Sequence, residues 1–109
     1  MKQKYTEEEQ IKMVKQNAWA IKYIKNPSEK IRELAVRQDG YAISFIKNPN
    51  KKLQEIAVQQ KGCAIYYIKN PSEKMQEIAV RENEFSIKHI KNPSEKIRKL
   101  ALMLYPEMI

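Results

Sequence analysis

The chain has 109 residues and sets 21 Lys plus Arg against 13 Asp plus Glu, a formal charge of +8, which is the length of one domain. A single His (His89), Cys (Cys63) and Asp (Asp39) exclude disulfide frameworks, zinc cages and most catalytic triads, and no metal or other cofactor is expected. With a mean hydropathy of −0.71, no apolar run approaching ~18 residues and a polar Met1 to Gln10, the chain is expected to be cytoplasmic, without membrane span or secretory leader. Only two Gly and two Phe stand beside abundant Lys, Glu, Gln, Ile and Ala, the palette of strong helix formers, so the expected class is all-α.

Taken in chain order, Met1 to Gln16 is a Glu-rich, diverged half unit, and Asn17 to Lys25 matches the second half of a repeating unit. Lys-Asn-Pro then recurs at 25–27, 47–49, 69–71 and 91–93, each 22 residues after the last. This period defines residues 1–25 as an N-terminal cap and half repeat, 26–47, 48–69 and 70–91 as full repeats, and 92–109 as a C-terminal capping repeat of one domain. Each unit carries two helix signals. Asn26 suits an N-cap, Pro27 the first helical position and Glu29 the first turn, predicting helix A, about 11 residues long and ending near Gln38. Ile31, Leu34, Ala35 and Gln38 share its apolar face, and Glu29, Lys30, Glu33 and Arg37 its polar one. Asp39-Gly40 and Lys61-Gly62 supply turn or left-handed geometry, before helix B, about 7 residues from Tyr41 to Lys47.

So short a helix B is marginal alone in water, so stacking must hold it. The expected architecture is an α-solenoid in two layers, with core ladders Ile31/Leu53/Met75/Ile97, Leu34/Ile56/Ile78/Leu100, Ala35/Ala57/Ala79/Ala101, Ile21/Ile43/Ile65/Ile87 and Ile24/Ile46/Ile68/Ile90.

The pattern Ala35-Val36, Gly40, Ala42-Ile43, repeated as Ala57-Val58, Gly62, Ala64-Ile65, resembles the short tandem α-helical repeats of bacterial and phage proteins catalogued as a domain of unknown function. It is also similar to leucine-rich-variant repeats, which share the length and an Asn-Pro before a helix. The resemblance covers nearly the whole chain, with Ala18 and Glu84 standing where the pattern has Gly. It implies an α-solenoid and carries over no catalytic residue.

Laid out at ~100° per residue, helix B offers two candidate binding features. Lys25, Lys47, Lys69 and Lys91 form a basic ladder, with Lys22, Ser44, Tyr66 and Lys88 beside it. The plainer role of these Lys is to complement the helix macrodipole and cover apolar neighbours. Trp19, Tyr41, Cys63 and Phe85 form one row, and Tyr23, Phe45, Tyr67 and His89 a second, four residues on. The first row reads as the edge of the apolar arc, and the second as a wetter row able to anchor a partner. Cys63 and His89, 26 residues apart, are the minimum for a thiolate nucleophile, but nothing else in the sequence supports an enzyme. On helix A, Glu33 to Arg37 and Glu77 to Arg81 have ion-pair spacing. In the last copy Met103 replaces Arg or Gln, and with Leu104, Tyr105, Met108 and Ile109 it forms an apolar end that either folds back or mediates self-association, as in a homodimer.

The expected function is therefore that of a non-enzymatic macromolecule-binding repeat protein. A protein partner leads, engaged as an interaction module or as an inhibitor acting by occlusion. The Lys, Ile, Asn bias and the phage resemblance suggest an anti-defence protein working in a bacterial host. Nucleic-acid backbone binding by the Lys ladder is the alternative, and a Cys/His enzyme the remote one.

Overall fold

The computed structural model describes residues 4–108, and side chains as far as Glu107. Five α-helices of ten residues, α1 (Glu7–Gln16), α2 (Glu29–Gln38), α3 (Lys51–Gln60), α4 (Glu73–Glu82) and α5 (Glu95–Leu104), alternate with 3₁₀ helices η1 (Ala18–Tyr23), η2 (Gly40–Phe45), η3 (Gly62–Tyr67), η4 (Glu84–His89) and η5 (Pro106–Met108). From α2 onward each α-helix starts 22 residues after its counterpart. Consecutive α-helices pack side by side, as do η1 to η4, so the chain forms a two-layered α-solenoid. It measures 50 × 23 × 16 Å with a radius of gyration of 15.6 Å, against about 13 Å for a compact domain of this length.

The Asn-Pro dipeptide works differently from the expectation. Asn26, Asn48 and Asn70 are not N-caps but sit in the left-handed region, at φ 49°, 50° and 51°. Asn tolerates that region better than most residues because its short amide can bond locally. The caps are Ser28, Asn50, Ser72 and Ser94, whose side-chain oxygens accept from Ile31, Leu53, Met75 and Ile97 amides at 3.3, 2.8, 3.1 and 3.2 Å. Helix A accordingly starts at Glu29 and is ten residues long.

Helix B is corrected more deeply, because it is a 3₁₀ helix rather than an α-helix. Three residues per turn put Ala18, Ile21 and Ile24, then Gly40, Ile43 and Ile46, then Gly62, Ile65 and Ile68 on the buried side. Six-residue 3₁₀ runs are uncommon in isolation, and η1, η2 and η4 are capped by side chains at their N-termini, while η3, which begins after Lys61, is not. Asn17, Asp39 and Asn83 side chains accept from the amides of Trp19, Tyr41 and Phe85 at 3.0, 2.9 and 2.8 Å. Gly40 is not left-handed but is needed for close approach, since a Cβ there would stand 2.5 Å from the Ala57 carbonyl oxygen.

The core runs the length of the stack. The Ile31/Leu53/Met75/Ile97 and Ala35/Ala57/Ala79/Ala101 ladders are buried, whereas Leu34, Ile78 and Ile87 are only half-buried. A further ladder, Val14/Val36/Val58/Val80, is completely buried. Gln38, assigned to the apolar face, is instead exposed, and its Nε2 donates to the Lys15 carbonyl of α1 at 2.8 Å. One repeat later Gln60 Nε2 donates to the Gln38 carbonyl at 3.3 Å while its Oε1 accepts from the Gly40 amide at 2.8 Å. These amides satisfy helix-end groups that have no partner within their own helix.

Candidate functional site

The 3₁₀ winding decides what the second layer shows to solvent. Ala18, Ile21 and Ile24 and their equivalents in the next two units turn inward together with Ala42, Ala64 and Ser86, which leaves the ring-bearing positions beside them facing out. Trp19, Tyr23, Phe45, Tyr66, Tyr67 and Phe85 are all more than a third exposed, Tyr23 at 67% and Tyr66 at 65%. Both rows therefore belong to the surface, with Tyr41 and Cys63 half-buried between exposed neighbours.

Three ring contacts run across repeats and one, between Tyr66 and Tyr67, lies within η3. Trp19 meets Phe45 edge-to-face at a centroid distance of 5.5 Å, and Tyr41 meets Tyr67 at 6.3 Å. Tyr66 then packs on Tyr67 at 5.1 Å and on His89 at 5.3 Å. Such pairs contribute about 0.5–1.5 kcal/mol beyond their area burial, so the rings are fixed in place although exposed. Lys22 Nζ stands over the rings of Tyr23 and Phe45 at 5.1 and 5.6 Å, and Lys88 Nζ over Phe85 at 5.4 Å.

Asp39, the only Asp of the chain, joins three repeats. One carboxylate oxygen accepts from the indole N–H of Trp19 at 2.9 Å. The other accepts from the Tyr41 amide and lies 3.3 Å from Lys61 Nζ, and Lys61 in turn sits 4.6 Å above the Tyr41 ring. Burial pushes the Tyr41 phenol up from its ordinary value, with Cys63 and Asp39 adding to the rise and Lys61 opposing it.

Lys22, Lys25, Lys47, Lys69, Lys88 and Lys91 are all exposed on this layer. Tyr66, Tyr67 and His89 line a groove of about 850 Å³ between η3 and η4, rimmed by Lys69, Lys88 and Lys91. At the groove Gln76 donates from Nε2 to the Pro71 carbonyl at 3.1 Å, while its buried Oε1 has no hydrogen-bond partner. Sequence reasoning missed Gln76, although the same residue type at Gln54 makes the same bond to Pro49 at 3.0 Å.

Cys63 and His89 occupy the relation that Trp19 and Phe45 hold elsewhere, one repeat plus four residues. Their shown contacts go elsewhere: Ser86 Oγ lies 3.8 Å from Cys63 Sγ, and His89 packs on Tyr66. Among the described residues no group of three or more His, Cys, Asp or Glu is placed to hold a metal ion, and no helix is long and apolar enough to cross a membrane.

At the C-terminal end the apolar residues divide. Tyr105 is half-buried, and its hydroxyl lies 2.8 Å from the Val80 carbonyl oxygen and 3.2 Å from that of Arg81, tying it back onto α4. Met103 is 71% exposed and Leu104 is exposed as well. The Met108 side chain and Ile109 lie outside the described residues.

Comparison of this chain with models of protein families, with curated proteins and with solved structures gave no match.

Proposed function

We propose that this chain is a non-enzymatic binding protein that grips an acidic protein surface with its 3₁₀ layer. The observation that carries this reading is the row of fixed, exposed rings bordered by six Lys. Trp and Tyr are the residues that most often dominate the energetics of protein interfaces, and a row of ammonium groups at their margin selects a partner of opposite sign. The groove at Tyr66, Tyr67 and His89 is the centre of this face, because there the rings and three Lys converge. A rigid face that covers a partner's working surface inhibits by occlusion, and an anti-defence role in the cytoplasm of a bacterial host is the form that the resemblance to phage repeats suggests.

Nucleic-acid backbone binding is the second reading, favoured by the same Lys ladder and by the sequence-tolerant stacking that exposed rings offer to bases. Host-lysate capture with immobilised chain, followed by mass spectrometry and then salt titration of the purified complex, separates the two. An acidic protein partner centred on rings should lose affinity with salt less steeply than a nucleic acid, whose several neutralised phosphates make affinity fall steeply. Changing Lys47, Lys69 and Lys91 together to Glu should leave the helical spectrum intact and abolish capture. Retained capture with unchanged salt dependence would move the working surface to the α layer or to the ends.

A further inference from the structure

Among the described residues, the ion pairs between successive α-helices all point one way. Lys52 Nζ of α3 reaches Glu33 of α2 at 3.2 Å, and Lys96 Nζ of α5 reaches Glu77 and Glu73 of α4 at 3.8 Å each. Lys30 of α2 reaches Glu7 of α1 at 3.8 Å. The stack thus presents Lys backward and Glu forward at each of these junctions. Counting by 22 residues, the backward position held by Lys30, Lys52, Lys74 and Lys96 is Glu8 in α1, and the forward position held by Glu33, Glu55 and Glu77 is Lys99 in α5. The sign is exchanged at these two positions, whereas Glu95 keeps the carboxylate of Glu73 and pairs along α5 with Lys99 at 3.3 Å.

Two further features follow the same register. Gln16 of α1 stands at the position of Gln38 and Gln60, whose amides clamp the end of the preceding helix. On α5, Met103 lies one turn after Lys99 on the same side, and Leu102, Met103 and Leu104 are all exposed. We propose that the backward face of α1 from a second copy of this chain docks on the forward face of α5. Lys99, already paired with Glu95 of its own helix, then also takes Glu8 of the second copy, as Glu33 takes both Arg37 and Lys52 within the chain. Gln16 of the second copy reaches the last carbonyls of α5, and the stem of its Lys12 lies over Leu102 and Met103.

The alternative occupant, α5 of a second copy related by a two-fold axis, would bring Arg98 and Lys99 against their own equivalents, and like charges in contact oppose association. A contact between unlike faces leaves one of each unused after two copies, so further copies add rather than stopping at two. The proposal is independent of what the 3₁₀ layer binds, because the residues involved are on the outer α-helices.

Sedimentation equilibrium of the full chain up to about 1 mM, the range in which a weak contact is populated, tests it. The average mass should rise with concentration past twice the 12.9 kDa of one chain without a plateau. Glu8→Lys and Lys99→Glu should each weaken association about tenfold when alone, since each sets like charges at the junction. An equal mixture of the two variants should recover it. At one junction the carboxylate introduced at position 99 then meets the ammonium introduced at position 8, and at the next the unaltered Lys99 meets the unaltered Glu8. Both side chains are exposed, and unchanged circular dichroism checks that folding is intact. A monomer throughout, a plateau at the dimer, an inert Glu8→Lys, or a mixture no better than its components would each overturn the proposal.

Discussion

The two layers of this solenoid are built on the same period and use charge in opposite ways. On the α layer, carboxylates and ammonium groups alternate and pair: Glu33 takes Arg37 at 2.9 Å and Lys52 at 3.2 Å, and Glu77 takes Arg81 at 3.2 Å and Lys96 at 3.8 Å. On the 3₁₀ layer six Lys share the surface with rings, and the Asp39 carboxylate is turned onto an indole, an amide and Lys61. One layer pairs its charges from repeat to repeat, and the other sets ammonium groups such as Lys22 and Lys88 against rings. A repeat array can thus give its two layers different uses of charge, with both written into each unit.

The largest expected effect comes from the seam between the layers. Ala57 is completely buried and its carbonyl oxygen faces Gly40 closely enough to leave no room for a Cβ there. Ala57→Leu should overpack the buried ladder of Ala35, Ala57 and Ala79 and destabilise by about 1–3 kcal/mol, read as a lower urea midpoint. An unchanged midpoint would mean that the ladder can take a larger side chain and that its close packing is not what holds the stack together.

The second effect isolates the 3₁₀ layer. Asp39→Ala removes the cap of η2, the acceptor of the Trp19 indole and the partner of Lys61 at once. Loss of a cap costs about 1 kcal/mol, so a destabilisation of about 1–2 kcal/mol is expected, together with a red shift of the Trp19 fluorescence as the indole loses its partner. Trp19 is the only Trp, so the signal is unambiguous. Loss of stability without a spectral change would show that Asp39 acts only as a cap.

What can be read from the sequence divides along the same line as the layers. The period, the ladders through Ile31 and Ala35 and the Glu33 to Arg37 pairs are legible because ten residues of α-helix repeat their face nearly three times. The winding of helix B is not legible, because over six residues windings of 3.0 and 3.6 per turn differ too little for the apolar pattern to choose between them. That single ambiguity hides the ring contacts, since pairs such as Trp19 with Phe45 form across repeats. Val36 is overshadowed by Ala35 beside it, and Asn26 reads as a cap because Asn serves both as N-cap and as a left-handed residue. Gln38 and Gln60 carry no sequence signal as clamps, since their partners are backbone carbonyls that any residue supplies.

The smallest effect belongs to the α layer and tests whether its charges do more than cancel. Hydrogen bonds from Arg37 and then from Lys52 hold the Glu33 carboxyl below the ordinary carboxylate range. A carboxyl whose pKa is lower in the folded than in the unfolded chain contributes stability above its unfolded pKa, and that contribution is lost as pH falls through the folded value. Glu33→Gln should therefore lower the melting midpoint slightly at neutral pH and leave it unchanged in acid, where Glu33 is protonated in both states. Because the pair is exposed to solvent its worth is small, and in ~1 M salt, where screening acts over about 3 Å, the neutral-pH difference should shrink as well. A difference that persists in acid would assign the role of Glu33 to packing of its side-chain stem, and the α layer would then be held by its core alone, with its ion pairs serving only to keep that face neutral.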